Sequence, residues 1–538
     1  YPTPEFEEAW KKILLYTEHT WGAWQSVSDP EHPMTKEQWA VKQSYALDAD
    51  ARSRQLLEKA AVSTATVSSV TDMKSVNVKS NDWDASDTTA TSHQIDIYNT
   101  TSWARTEAVT IPAELSRAGD RIVDMQNNPV PSQRMSDGTL AIIVSEIPAY
   151  SCRRYTVESG RAYCDVPVSV RGTVLDNGII TVRVDSATGT ITELRLKTDP
   201  VNFAHAKADS GLNGFLYLPG DKIADVRMDS HVRITVKENG PLVASLVIAS
   251  DAPSCNSFTR EVRLASGCGY VELINTIDKQ RAAISPTPGD GAFAQKGGKE
   301  SLNFSFPFNV ADGRVVLDIP LGVMEPEKDQ MPGACKNWLT LGRWADVSNQ
   351  MYGVTWASLD APLVEVGKLS ANLIGSQTDP SVWRKTIEPT QTLYSWVMNN
   401  HWGTNFRAYQ DGVVTFRYAL KPHGKFAAAD ASKFATALSQ PLIIARAQGE
   451  VKSTASLMTV AGAPSVVVTA LKPSDDRRGV MITLFNTSAK KETVGLDWSG
   501  AFRPTQLWKS STSEKKAVRI DAHDIVLDPY GLIILRAE

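Results

Sequence analysis

The sequence is poor in cysteine. Five occur in 538 residues (Cys152, Cys164, Cys255, Cys268 and Cys335), an odd number. None lies in the close Cys-x-x-Cys spacing of a structural zinc site. Cys152 with Cys164, and Cys255 with Cys268, flank segments short enough to be hairpins, so each pair fits a local disulfide or two isolated thiols equally well. Long apolar runs are missing too: none approaches the ~18 residues that a spanning helix needs, so no membrane span is expected. Lys and Arg total 56 against 60 Asp and Glu, a formal charge of −4, and no basic block interrupts the chain. Nothing here would recruit nucleic acid or an anionic lipid surface. Gly-x-Ser-x-Gly, the phosphate-cradling Gly-x-x-x-x-Gly-Lys-Ser/Thr and a strand-to-helix Gly-x-Gly-x-x-Gly are all absent. Serine-hydrolase, nucleotide-dependent and dinucleotide-dependent chemistry therefore have no footing. His-Glu-x-x-His is absent as well. The chain opens on Tyr1-Pro2-Thr3-Pro4 with no charged-then-apolar leader, which reads as a processed product or part of a longer protein.

What is present is an ordinary globular composition, 42% hydrophobic and 22% charged. The length exceeds what one core organises, so several domains are expected. Phe6, Ala9, Trp10, Ile13 and Leu14 recur at helical spacing over residues 5–17. Pro30 and Pro33 bar its continuation. A second helix is expected from Thr35, its hydroxyl capping with Gln38 as partner and Trp39, Ala46, Ala49, Leu56, Leu57 and Ala60 on the buried stripe. Two antiparallel helices cannot bury both faces alone, so residues 1–62 read as part of a three-helix bundle. Residues 63–164 read as a Ser/Thr-rich linker and a small β domain with runs such as Gln94–Tyr98 and Tyr155–Val157. From 165 to 445 the strand pattern continues with no long helix, through the hairpin signal Asp176-Asn177-Gly178 and the turn Ala187–Thr190. That many antiparallel strands fit a large double-sheet sandwich. Residues 446–538 read as a terminal β domain. The fold class expected is mainly β with a short N-terminal helical segment.

Two stretches carry chemistry. Glu18-His19-Thr20-Trp21-Gly22 follows the first helix directly. An imidazole beside a carboxylate can be a metal ligand or an acid/base, or simply a histidine satisfied by Glu18 or a backbone carbonyl. The loop Asn399-Asn400-His401-Trp402-Gly403-Thr404-Asn405-Phe406 gathers amides and aromatics that suit sugar contact, since amides bond hydroxyls and aromatic faces stack on a pyranose. Its amides could equally satisfy their own backbone. His523-Asp524 and His93 with Asp96 border strands and read as turn structure; His32, His205, His231 and His423 have no informative company. Carboxylate pairs of the glycosidase kind cannot be picked out of 60 Asp and Glu without a fold.

The order helix, Glu18-His19-Thr20-Trp21-Gly22, helix, small β domain, large sandwich resembles the latter half of glycoside hydrolase family 38, the α-mannosidase family. Tyr98–Arg105, Lys299–Phe308, Asp329–Gly333 and Asn399–Phe406 extend the resemblance over most of the chain. It implies a mannosidase C-terminal, galactose-mutarotase-like sandwich over 165–445. It also implies a retaining α-glycosidase with one zinc ion, acting on α-linked sugars of glycans or oligosaccharides. By position His19 would be the metal ligand and Glu18, Thr20, Trp21, Asn399, Asn400, Trp402 and Asn405 the substrate contacts. Thr20 stands where the family has an Asp that holds sugar hydroxyls. The family's barrel, with its nucleophile and remaining ligands, has no counterpart in residues 1–538. The expected partners are thus a carbohydrate substrate and the N-terminal portion of the same protein, without which the chain would be inactive. The implied location is periplasmic or extracellular. The alternative is a non-catalytic carbohydrate-binding or scaffolding β-sandwich protein, with a polysaccharide lyase as a third option.

Overall fold

The computed structural model describes residues 2–19, 22, 25–63, 92–206, 208, 210–220, 222–282, 300–370, 381, 383–400, 407, 409–447, 455–499 and 502–538. The linker expected near residues 63–92 falls almost wholly outside them. The fold is mainly β, in antiparallel sheets, as the alternation and turn signals predict.

Helices α1 (Thr3–Thr17) and α3 (Pro33–Ser63) are joined by the single turn α2 (Gln25–Ser28). They run antiparallel: Glu5 faces Lys59, Lys12 faces Asp48 and Lys42 faces Glu18. The expected stripe is only partly covered. Ala9, Ala49 and Leu56 are buried, but Trp10 is 60% and Leu14 66% exposed, and Leu57 lies open at 44%. One partner helix cannot cover a stripe that wide. The cap of α3 also differs from expectation. The helix starts at Pro33, whose missing N–H suits a first turn, and Met34 N–H donates to His32 Nδ1 at 3.2 Å. Thr35 lies inside the helix, buried, its hydroxyl directed at the Asp29 carbonyl at 3.4 Å.

The small β domain packs Ile95, Ile97, Ile142, Val144, Tyr155 and Val157 into one core. The strand Ile443–Arg446 returns to pair with Ser92–Asn99 at its edge. The large sandwich has a smaller sheet, in the order Gly214–Pro219, Glu300–Pro307, Thr392–Asn399, Leu363–Val366, Leu339–Thr340. It lies against a nine-stranded sheet that includes Val243–Asp251, Cys255–Ala265, Val271–Lys279 and Gly412–His423. Between them sits an aromatic core: Phe306 contacts Trp356 and Tyr418, and Phe304 contacts Phe215, Phe258 and Tyr418, all at 5.0–6.2 Å. One helix within this stretch was not anticipated, α4 (Ala428–Ser439). The terminal β domain closes over Met458, Ile482, Leu484, Ile525 and Leu535. All five cysteines are unpaired. Cys255 opens a strand that runs straight to Ala265, so Cys268 lies at the far end of that strand.

Candidate functional site

Helix α1 ends at Thr17, and Glu18 N–H donates to Leu14 O at 3.0 Å. Lys42 of α3 completes this end. Its ammonium donates to Leu15 O at 2.9 Å, Glu18 O at 3.1 Å and Glu18 Oε2 at 3.2 Å, a cation meeting the carbonyl pole of a helix. His19 projects from the corner with its side chain 94% exposed, and its Nδ1 lies 2.7 Å from Glu18 Oε1. A carboxylate on Nδ1 leaves Nε2 as the nitrogen that could meet a metal ion, an arrangement common to metal ligands and their orienting partners. Among the described residues no three His, Cys, Asp or Glu side chains converge. A catalytic zinc needs about three protein ligands, so the described residues do not hold one by themselves.

A cavity of about 730 Å³ opens between the helical hairpin and the sandwich. Tyr16, Trp39, Gln43 and Leu47 form one wall; Glu300, Asn399, Asn400, Arg407, Tyr409 and Asp411 form the other. Asn399 reaches it because Thr392–Asn399 pairs with Glu300–Pro307, which sets Asn399 opposite Ser301. Asn400 N–H then donates to Glu300 O at 2.8 Å. Glu300 is itself fixed: its carboxylate lies 2.9 Å from Lys279 Nζ, both side chains nearly fully buried, and accepts from the Tyr217 hydroxyl at 2.9 Å. Burial, reinforced by the charge on Glu300, pushes the Tyr217 phenol up to about 12 despite a hydrogen bond from Ser254.

The two walls are tied together at one end. The Tyr409 hydroxyl donates to Glu31 Oε1, Arg281 donates to the same carboxylate at 2.8 Å and to Asp411 at 3.1 Å, and Lys36 lies 2.7 Å from Glu31. Hydrogen bonds from Lys36 and Tyr409 hold the Glu31 carboxyl down at about 2. The Arg407 guanidinium lies 5.6 Å from the Trp39 ring and 4.5 Å from that of Tyr409. Its Nε is buried without a hydrogen-bond partner.

The sequence-predicted residues thus separate. Asn399 and Asn400 line the cavity. Glu18 lines a second hollow of about 460 Å³ with Leu15, Gln38, Val41 and Tyr45, and His19 lines neither of these two. Thr20, Trp21, Trp402 and Asn405 lie outside the described residues. Sequence reasoning missed Tyr16, Trp39, Glu300, Arg407 and Tyr409 as cavity residues. The one local signal was the alternation Arg407-x-Tyr409-x-Asp411 just beyond the amide loop.

Residues 175–361 match the model of the glycosyl hydrolases family 38 C-terminal domain. That stretch is similar to the family 38 C-terminal domain. The match takes in part of each sheet of the large sandwich and ends before the strands Leu363–Val366, Thr392–Asn399 and Gly412–His423. The whole chain also superposes on an alpha-mannosidase from Enterococcus faecalis V583, with TM-score 0.68 and 17% identity, covering 100% of this chain and 64% of that one. A protein in the glycosyl hydrolase family 38 from Enterococcus faecalis gives TM-score 0.66 and 18% identity, covering 100% and 66%. At these identities the likeness establishes the fold. The chain spans about two thirds of the length of either structure. No curated protein matches.

Proposed function

We propose that this chain supplies the sugar-binding wall of a zinc-dependent, retaining α-glycosidase of the α-mannosidase kind. The bond-breaking carboxylates and the remaining zinc ligands would come from an N-terminal catalytic portion of the same protein, and the chain alone would be inactive. The cavity between hairpin and sandwich carries the proposal. It joins amides (Asn399, Asn400, Gln43), a guanidinium (Arg407) and aromatic rings (Tyr16, Trp39, Tyr409) around a volume of about 730 Å³, ample for a monosaccharide. Hydroxyls find donors and acceptors there, and the apolar face of the ring finds an aromatic wall. The stretch beside it that is similar to the family 38 C-terminal domain supports the same reading.

Bound zinc would polarise substrate oxygens, and His19, oriented by Glu18, is the ligand this chain contributes. The chain's own part is to bind and orient the sugar. Asn399 and Asn400, held through Glu300, fix hydroxyl positions, and Arg407 lines the same wall. Thr20 in place of a carboxylate leaves mannose recognition to these amides.

The test uses the whole protein and an aryl α-mannoside. Proton NMR should show the product first as the α-anomer, and chelator or His19→Ala should abolish turnover. Full activity after both treatments would remove His19 and zinc from the proposal.

A further inference from the structure

Helix α4 lies on the outer face of the nine-stranded sheet. Its Ala431, Phe434 and Ala435 pack with Trp344, Ala357 and Ala419 of the strands. Lys421 stands two residues beyond Ala419 in the same strand and so shares that face. Its stem is covered by the helix, and its Nζ lies 5.2 Å from the centre of the Phe434 ring. Lys433 belongs to the helix itself. Its Nζ donates to Pro464 O at 3.0 Å and lies 5.9 Å from the centre of the Trp103 ring.

Both lysines line one cavity of about 330 Å³, where α4 and the sheet meet the strand Arg105–Ile111 of the small β domain. Trp103, Glu107, Tyr270 and Phe434 stand in its walls. Thr106, Gly267 and Asp430, all exposed, mark its mouth. A Cβ at Gly267 or Gly269 would meet nothing within 4 Å, so this turn leaves the opening clear.

The charges around this cavity do not cancel. Arg105 holds both oxygens of Glu107. Two ammoniums then face the single carboxylate of Asp430, which makes no ion pair with either. Lys421 is half-buried, and its ammonium keeps accessible surface. Among the described residues it meets no carbonyl or carboxylate. It has given up water without gaining an acceptor. Burial lowers both ammonium pKa values, and the charge of Asp430 offsets only part of that. A cation would be repelled here, and a neutral ligand would leave the excess charge standing. An anion answers it. The two ammoniums sit on different elements, a strand and a helix. A tetrahedral anion, with oxygens on several sides, suits them better than a flat carboxylate, and Lys meets phosphate as a point charge.

We propose that this cavity is an oxyanion site, taking one phosphate group, free or as a monoester, on Lys421 and Lys433. It stands whether or not the Asn400 cavity takes sugar. The test is calorimetric titration of the full chain with sodium phosphate and, separately, with D-glucose 6-phosphate. Ionic strength is held fixed with sodium chloride. One saturable site is expected for at least one of the two probes. Comparable affinities assign the free ion; an ester bound tenfold tighter or more assigns a phosphorylated small molecule. Lys421→Met and Lys433→Met should each weaken binding tenfold or more. Lys490→Met, an exposed lysine of the terminal β domain, should leave it unchanged. Should Lys421→Met fail to fold, Lys433→Met carries the test alone. No saturable binding of either probe, or binding that the cavity substitutions leave intact, overturns the proposal.

Discussion

His423, unremarkable among its sequence neighbours, sits across the larger sheet from Asp346. Its Nε2 lies 2.7 Å from an Asp346 Oδ2 that also accepts from Thr355 at 2.7 Å, and Asp346 is fully buried. Burial alone would lower the His423 pKa, but the hydrogen bond and charge of Asp346 outweigh it and leave the pKa raised. A raised folded-state pKa stabilises fully below the unfolded value, and that contribution is lost as pH rises through the folded one. His423→Ala should therefore cost about 3 kcal/mol under mildly acidic conditions, because it strands a buried carboxylate, and clearly less in alkaline solution, once pH has passed the raised folded-state value. Urea unfolding of both proteins at the two pH values measures this; an equal cost at both would contradict the charged pair. None of it was legible in sequence, because His423 and Asp346 are joined only by strand register. Glu18 and His19 were legible as a pair because they are adjacent in the chain.

At the scale of elements, the strands read well where turns announced them. The turn Ala187–Thr190 has Gly189 at φ +68°, packed on Ile248 and on the buried guanidinium of Arg260. A Cβ there would lie 2.6 Å from Ile248 and closer still to Arg260. Gly189→Ala should destabilise by about 2 kcal/mol or more, read from the urea midpoint; an unchanged midpoint would mean that the turn relaxes freely. Helix α4 escaped notice because its buried face is mostly alanine (Ala429, Ala431 and Ala435 beside Phe434) and no side chain caps its start. Its far end depends on a residue more than three hundred positions away. Arg105, 1% exposed at its side chain, donates to Ala437 O and Gln440 O at 2.8 Å each while paired with Glu107. Arg105→Leu should cost about 3 kcal/mol and speed amide exchange in Ala428–Ser439. Unaltered exchange there would show that the contact is incidental.

Across the whole molecule, the hairpin of α1 and α3 is fastened to the sandwich through Glu31, Tyr409, Arg281 and Asp411. The lowered Glu31 pKa means that this fastening is present above the ordinary carboxylate range and lost as pH falls toward about 2. Glu31→Ala should raise hydrogen exchange along Thr3–Thr17 and Pro33–Ser63 while the strands of the large sandwich keep theirs; helices with unchanged protection would refute the fastening. The sandwich was visible in the sequence, and of the amide loop Asn399 and Asn400 lie on the cavity wall. The cavity was not, because Trp39, Glu300 and Arg407 meet only once the chain is folded.

The central claim is that this cavity holds substrate. Its most direct test is the steady-state kinetics of Asn400→Ala and Arg407→Gln, in the whole protein, on 4-nitrophenyl α-D-mannopyranoside. The account predicts a fall in kcat/KM of about tenfold or more for each, with melting temperature unchanged. Kinetics matching the parent protein in both variants would contradict it.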